Sequence, residues 1–166
     1  MSTLSLQSRI DQLDEFVVEA VKDVCFTMLD WTVSESAAET GFRVPISFEL
    51  GEVNGCIGFG GKWTGTIFLS CQDATARRMA RTILGDDTPT AQDVSDVVGE
   101  LTNMLAGGCA SRLCDHDCPV VMSIPNIVRG QGIRAGSRDI KFMLKRDFTV
   151  SITGEKLEVI ALGKFE

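Results

Sequence analysis

Hydrophobic residues recur at intervals of three to four positions over three stretches of the chain, and this spacing predicts amphipathic helices. The first predicted helix runs from Ile10 to Trp31. The second begins at Asp73, which is expected to cap it, and ends at Gly85. The third runs from about Asp93 to Cys114, after a short loop that contains proline.

Alternating apolar positions and short apolar runs predict strands in the remaining segments. These are residues 44–50, the two segments that flank a hairpin turn at residues 60–62, and the stretches 118–130, 140–146, 148–152 and 157–162. Consecutive strands joined by short turns favour an antiparallel or partly mixed sheet with helices packed on one face, which is an α+β fold. No linker, repeat or low-complexity tract interrupts the pattern, so residues 1–166 are expected to form one domain.

Composition excludes several classes of function. A net charge of −7 argues against a nucleic-acid partner, which requires a basic surface. The sequence shows no secretory signal and no apolar stretch of membrane-spanning length, so a cytoplasmic location is expected. In that compartment the six cysteines are expected to be reduced and to behave as small apolar residues.

The third predicted helix has an unusual polar face. At 100° per residue its apolar side chains and Gly108 share one broad arc, while Asp96, Glu100, Asn103 and Gly107 lie near the opposite pole as one outward row. A glycine inside a helix costs about 1 kcal/mol relative to alanine. We expect Gly107 and the adjacent Gly108 to allow close approach by another backbone or another protein. Glutamate and asparagine are also ordinary on an exposed helix face, and the glycines could serve internal packing alone.

The chemistry open to this row is restricted. The chain has a single histidine, His116, and no tyrosine, which argues against a nucleophile–histidine system. An amide can orient a water molecule without titrating, and phosphoryl transfer depends mainly on positioning and charge stabilisation. An amide and a carboxylate would therefore suit hydrolysis of a phosphoryl group whose metal ion is supplied by a partner.

Two other segments partly resemble a metal site and a phosphate-binding loop, but each lacks residues that the motif requires. Cys114, His116 and Cys118 have the residue types of a metal site, but their spacing lacks the paired Cys-x2–4-Cys arrangement of structural zinc sites, and no metal is expected. The stretch Gly58–Gly65 lacks the first glycine and the hydroxyl residue of a phosphate-binding loop, and it is interpreted as a strand, a turn and a strand.

The pattern Asp96-x3-Glu100-x2-Asn103, followed by Gly107 and later by Pro125, resembles the signature of the CheC/CheX/FliY phosphatases of bacterial chemotaxis. The segments GELTNMLAGG and PVVMSIPNIVRG most resemble CheX. The resemblance implies the fold of that family and dephosphorylation of a CheY-type response regulator. It implies that Glu100 docks onto a lysine of the receiver domain and that Asn103 orients the attacking water.

The resemblance also implies a supporting role for Asp96, and it implies that Pro125 shapes the strand near the site. It implies no cofactor of the chain's own, Mg²⁺ on the partner receiver domain, and a homodimer. Two features depart from the family pattern. Twenty-one residues separate Asn103 from Pro125, about one fewer than is usual, and the first helix lacks the second Glu-x2-Asn site of CheC-like members. The alternative is a non-catalytic adaptor that binds a receiver domain or a flagellar or signalling partner.

Overall fold

The protein was analysed as a computed structural model, which describes residues 4–42 and 46–166. Its helices are α1 (Leu6–Leu29), α2 (Asp73–Leu84) and α3 (Ala91–Asp115). Its strands are β1 (Val33–Glu35), β2 (Glu39–Gly41), β3 (Ile46–Glu49), β4 (Val53–Gly61), β5 (Trp63–Cys71), β6 (Val120–Met122), β7 (Asn126–Arg129), β8 (Arg134–Ser137), β9 (Phe142–Val150) and β10 (Lys156–Phe165).

Eight strands form one sheet in the order β1-β9-β10-β5-β4-β6, in which β2 also pairs with β9 and β7 also pairs with β4. Strands β3 and β8 form a separate two-stranded sheet. Every strand pair is antiparallel. This arrangement confirms the predicted α+β class with an antiparallel sheet.

The two faces of the large sheet have different covers. On β10, Val159 and Ala161 join the core beneath the three helices, whereas Ile160 and Leu162 face a smaller core closed by β3 and β8. The strand is therefore apolar on both faces, as expected for a strand buried on both sides. The helices pack on one face, as predicted, while the β3–β8 cover of the other face was not anticipated.

The helix predictions hold with three corrections. Helix α1 begins four residues earlier than predicted, and it ends at Leu29 because Asp30 adopts the left-handed conformation (φ 54°). The N-cap of α2 is Gln72 and makes no side-chain cap, so the prediction that Asp73 caps this helix was wrong. Asp73 is instead the first helical residue. Helix α2 ends before Gly85, as predicted.

The strand predictions were less accurate. The hairpin between β4 and β5 forms where the turn was predicted. The predicted strand at 44–50 forms over Ile46–Glu49, and residues 44 and 45 lie outside the described residues. The stretch 118–130 is two strands rather than one, and the stretches 140–146 and 148–152 are joined in a single strand, β9. Strands β1, β2 and β8 were missed, because strands of three or four residues carry too little alternation to be recognised.

Candidate functional site

Helix α3 begins with a complete capping box. The hydroxyl of Thr90 accepts a hydrogen bond from the backbone N–H of Asp93 (3.1 Å), and the Asp93 carboxylate accepts one from the backbone N–H of Thr90 (2.8 Å). Bonding to Thr90 holds the pKa of the Asp93 carboxyl below its ordinary value. The cap fixes where the helix starts, and the buried apolar side chains of α3 decide which residues face away from the sheet.

The structure places the predicted outward row on the accessible side of α3. Asp96 and Glu100 are exposed, and Asn103 and Gly107 are half-buried. The Asp96 carboxylate accepts a hydrogen bond from the Gln92 side chain (2.7 Å). Among the described residues, the Glu100 and Asn103 side chains have no hydrogen-bond or ion-pair partner, so both are available to an external group.

The two glycines of α3 have different surroundings. A Cβ placed on Gly107 would meet nothing within 4 Å, whereas a Cβ on Gly108 would lie 3.2 Å from the Cβ of Ala20 on α1. Gly108 therefore allows α1 to pack closely against α3. Of the two alternatives that the sequence left open, close approach by another part of the backbone applies to Gly108, and of the two glycines Gly107 alone leaves open space beside the polar row.

The buried side of α3 rests directly on the central strands. A Cβ on Gly55 of β4 would lie 1.8 Å from the hydroxyl oxygen of Thr102, so this position must be glycine for α3 to pack as it does. Thr102 is fully buried, and its hydroxyl donates to the Val98 carbonyl one turn earlier (2.6 Å). A Cβ on Gly99 would lie 3.6 Å from Ile127 of β7. These contacts set the distance between the helix and the central strands and restrict rotation of the helix about its axis.

Pro125 lies in the break between β6 and β7. Both strands pair with β4, and the three residues 123–125 lie opposite only two, 57 and 58. Ser123 bridges the gap, because its N–H donates to the Gly58 carbonyl (2.9 Å) and its hydroxyl accepts from the Gly58 N–H (3.0 Å). Proline has no N–H to donate, which suits a residue in the unpaired part of a bulge.

The spacing of the two elements brings this break level with the polar row. Strand β7 runs antiparallel to α3, since its end lies beside the first turn of the helix while Ile127 lies beside Gly99. At ideal spacing two strand residues span about 7 Å and four helical residues about 6 Å, so Pro125 is expected near the level of Asn103. That Pro125 shapes a strand near the row stays a prediction.

Sequence reasoning overlooked Arg129, the last residue of β7. Its guanidinium bonds the first turn of α3 and the first residue of α2. The structural role of a single arginine at the end of a predicted strand cannot be recognised from one sequence, because its partners lie 34 to 56 positions away.

The segment of Cys114, His116 and Cys118 ends α3. Asp117 adopts a left-handed conformation (φ 60°), and the Cys118 N–H donates to the Leu113 carbonyl (2.9 Å), as in a Schellman motif. No group of three His, Cys, Asp or Glu side chains suited to a metal ion occurs within residues 4–42 and 46–166. The histidine ring nitrogen Nδ1 bonds the Arg112 carbonyl (2.8 Å), and the segment therefore serves as a helix cap.

A concave pocket of about 480 Å³ opens near this cap, lined among others by Arg9, Lys62 and His116. Neither Glu100 nor Asn103 lines it. The polar row therefore lies outside this pocket, on the exposed side of α3. Over the described ranges, no helix combines the length and the apolar character needed to cross a membrane.

Comparisons with known proteins agree with these features. The family described as chemotaxis phosphatase CheX matches residues 53–144, more than half of the chain. A search of curated proteins gives no match.

Among solved structures, the fold is similar to CheX from Desulfovibrio desulfuricans (TM-score 0.81, 21% identity, 92% of this chain and 99% of that one). It is also similar to CheX from Vibrio vulnificus (0.78, 20%, 92% and 99%) and to the CheX–CheY–BeF3–Mg²⁺ complex from Borrelia burgdorferi (0.69, 18%, 92% and 97%). The matched segment includes α3, its polar row and Pro125. The chain belongs to the CheX family of chemotaxis phosphatases.

Proposed function

We propose that this chain hydrolyses the aspartyl phosphate of a CheY-like receiver domain. The observation that carries the proposal is the pair of unpartnered side chains, Glu100 and Asn103, on the open face of α3 in a chain of the CheX family. A solved neighbour from Borrelia burgdorferi is a CheX–CheY complex, which supports a receiver domain as the partner here.

In the proposed reaction the Asn103 amide orients a water molecule in line with the phosphorus atom. The water oxygen forms a new bond to phosphorus while the bond to the aspartyl oxygen breaks. The products are inorganic phosphate and a free aspartate carboxylate. Because the transition state is loose, the protein lowers the barrier mainly by positioning the water molecule. An amide suits this role since it both donates and accepts hydrogen bonds.

Glu100 is proposed to dock onto the receiver lysine. It lies one helical turn before Asn103 and is exposed, so a cation of the partner can reach it while the amide faces the phosphoryl group. Asp96 and Gly107 extend the same face, Asp96 in a supporting role and Gly107 as open space for the partner. Mg²⁺ is proposed to reside on the receiver domain, with no cofactor on this chain.

The deciding experiment compares Asn103→Ala with the wild type on a phosphorylated receiver domain. We expect release of inorganic phosphate to fall by about a hundredfold or more, because oriented water is worth several kcal/mol in such reactions. The control is Gln7→Ala, which removes an exposed amide from α1 and should leave turnover unchanged. An Asn103→Ala variant with wild-type turnover would contradict the proposal. Receiver binding without turnover by the wild type would favour the adaptor alternative.

We further propose that the chain acts in the cytoplasm as a homodimer and that residues 1–166 form a single domain. A mass measurement in solution tests the dimer. Limited proteolysis tests the single domain, since a cut that releases two stably folded fragments would contradict it.

A further inference from the structure

Arg129 joins the strand that follows Pro125 to the start of α3. One guanidinium nitrogen, Nη1, donates to the Ala91 carbonyl (2.7 Å) and lies 3.3 Å from the Ser95 hydroxyl. Both acceptors belong to the first two turns of α3, and the arginine side chain is 27% exposed. The contact therefore holds the end of the helix that precedes the polar row.

The other nitrogen of the same guanidinium, Nη2, donates to the Asp73 carboxylate at the start of α2 (2.8 Å). Asp73 also accepts from Arg77 (2.7 Å). Hydrogen bonding to Arg77, and secondarily to Arg129, holds the pKa of the Asp73 carboxyl below its ordinary value. Asp73 remains ionised near neutral pH, so one planar side chain ties β7 to two helix starts.

Strand β7 has a second contact with α3, where Ile127 packs on Gly99. The two contacts lie two residues apart on the strand and differ in nature. The apolar contact sets the distance between the elements. The directional bonds of Arg129 restrict sliding of the helix along its axis, since a hydrogen bond to a carbonyl weakens steeply with misalignment.

We propose that Arg129 is a positioning residue that holds the Pro125 segment and the Asn103 side chain in register. It touches neither water nor phosphoryl group and acts through α3. This inference rests on the proposed function, in which Asn103 orients the water that attacks the receiver phosphate. The planar fork of arginine reaches both helix starts at once, whereas lysine presents a single point charge.

The experiment measures kcat and KM for phosphate release from a receiver domain with Arg129→Met and Arg129→Lys. We expect kcat of Arg129→Met to fall about tenfold with little change in KM, because a displacement of 1 Å at a reacting centre can cost that much or more. The Arg129→Lys variant should recover part of the loss. The control Arg134→Met removes an exposed arginine that pairs with Glu49 on the other sheet, and it should leave kcat unchanged.

A second readout keeps this inference separate from the proposed function. NMR signals of the Asn103 side-chain amide and of the backbone amides of residues 96–103 should shift in Arg129→Met and remain in place in Arg134→Met. If the wild type has no turnover, the proposed function fails, and the NMR signals still decide whether Arg129 positions Asn103. Unmoved signals together with wild-type kcat in Arg129→Met would overturn the inference. Should that variant not fold, Arg129→Lys and Asp73→Asn give the same comparison.

Discussion

Helices α1 and α3 are nearly equal in length, with 24 and 25 residues, and they pack side by side, yet their outer faces differ. On α1, Asp14 pairs with Arg146, and both Glu19 and Asp23 pair with Arg112. On α3, Glu100 has no such partner among the described residues. These three acidic residues of α1 take part in holding the fold together, whereas Glu100 does not; Glu15 of α1 is exposed and, among the described residues, is likewise unpaired.

The contrast shows how a surface helix can be recognised as functional. Paired surface charges contribute little energy but neutralise one another, so they leave no strong attraction for a charged partner. An unpaired carboxylate beside an unpaired amide and an open glycine keeps its capacity to bind.

Of the changes that test the contrast between the two helices, the largest effect is expected from reversing the charge on α3. In Glu100→Lys we expect kcat/KM on a phosphorylated receiver domain to fall about a hundredfold, because a lost charge pair at an interface costs about 2–5 kcal/mol and the new cation repels the receiver lysine. The matched variant is Glu15→Lys on α1, an exposed carboxylate that likewise has no partner among the described residues, and it should leave kcat/KM within about twofold, since a charge change outside the docking face has little effect on the interface. Equal losses in the two variants would show that overall charge, rather than docking, sets the rate.

A smaller effect is expected from filling the open space on α3. Gly107→Leu places a side chain beside Asn103 where the structure has nothing within 4 Å. We expect kcat/KM to fall about tenfold because an approaching protein surface meets the new side chain, a loss of about 1.4 kcal/mol. Thermal unfolding should show an unchanged or higher midpoint, since leucine has the better helix propensity. Unchanged turnover would mean that the partner does not cross this part of the helix.

The link between the two helices is tested by Arg112→Met. The guanidinium of Arg112 bonds Glu19 (2.9 Å), Asp23 (2.7 Å) and the Gly108 carbonyl (3.1 Å). Methionine keeps much of the apolar stem, so we expect the free energy of unfolding to fall by about 1 kcal/mol, the range of partly exposed ion pairs. Denaturant titration measures this. The rate of phosphate release per folded molecule should be unchanged. A loss of this rate would show that Arg112 contributes to the site, contrary to its position in the structure.

The sequence predicted the helices and the polar row well because both depend on local periodicity. Helix α3 needed only the spacing of its apolar residues, and the outward direction of Glu100 followed from 100° per residue. The break at residues 123–125 was missed because a bulge is defined by pairing with β4, which a single segment does not show.

Arg129 was out of reach for a related reason, since its partners on α2 and α3 lie 34 to 56 positions away. Helical spacing separated Gly107 on the outward row from Gly108 on the apolar arc. It did not show that Ala20 of α1 is the residue that covers Gly108. Long-range contacts of this kind determine the geometry of the site, and local sequence patterns do not show them.

The smallest predicted effect distinguishes these two glycines directly. Gly107→Ala should raise the free energy of unfolding by about 1 kcal/mol, because alanine has the better helix propensity and its Cβ enters open space. Gly108→Ala should gain less, since its Cβ would lie 3.2 Å from the Cβ of Ala20 and α1 must move by a few tenths of an ångström. Denaturant titration of both variants measures the difference. An equal gain at both positions would show that α1 gives way easily, and a loss at Gly107 would mean that the outer face of α3 is not open in the free protein.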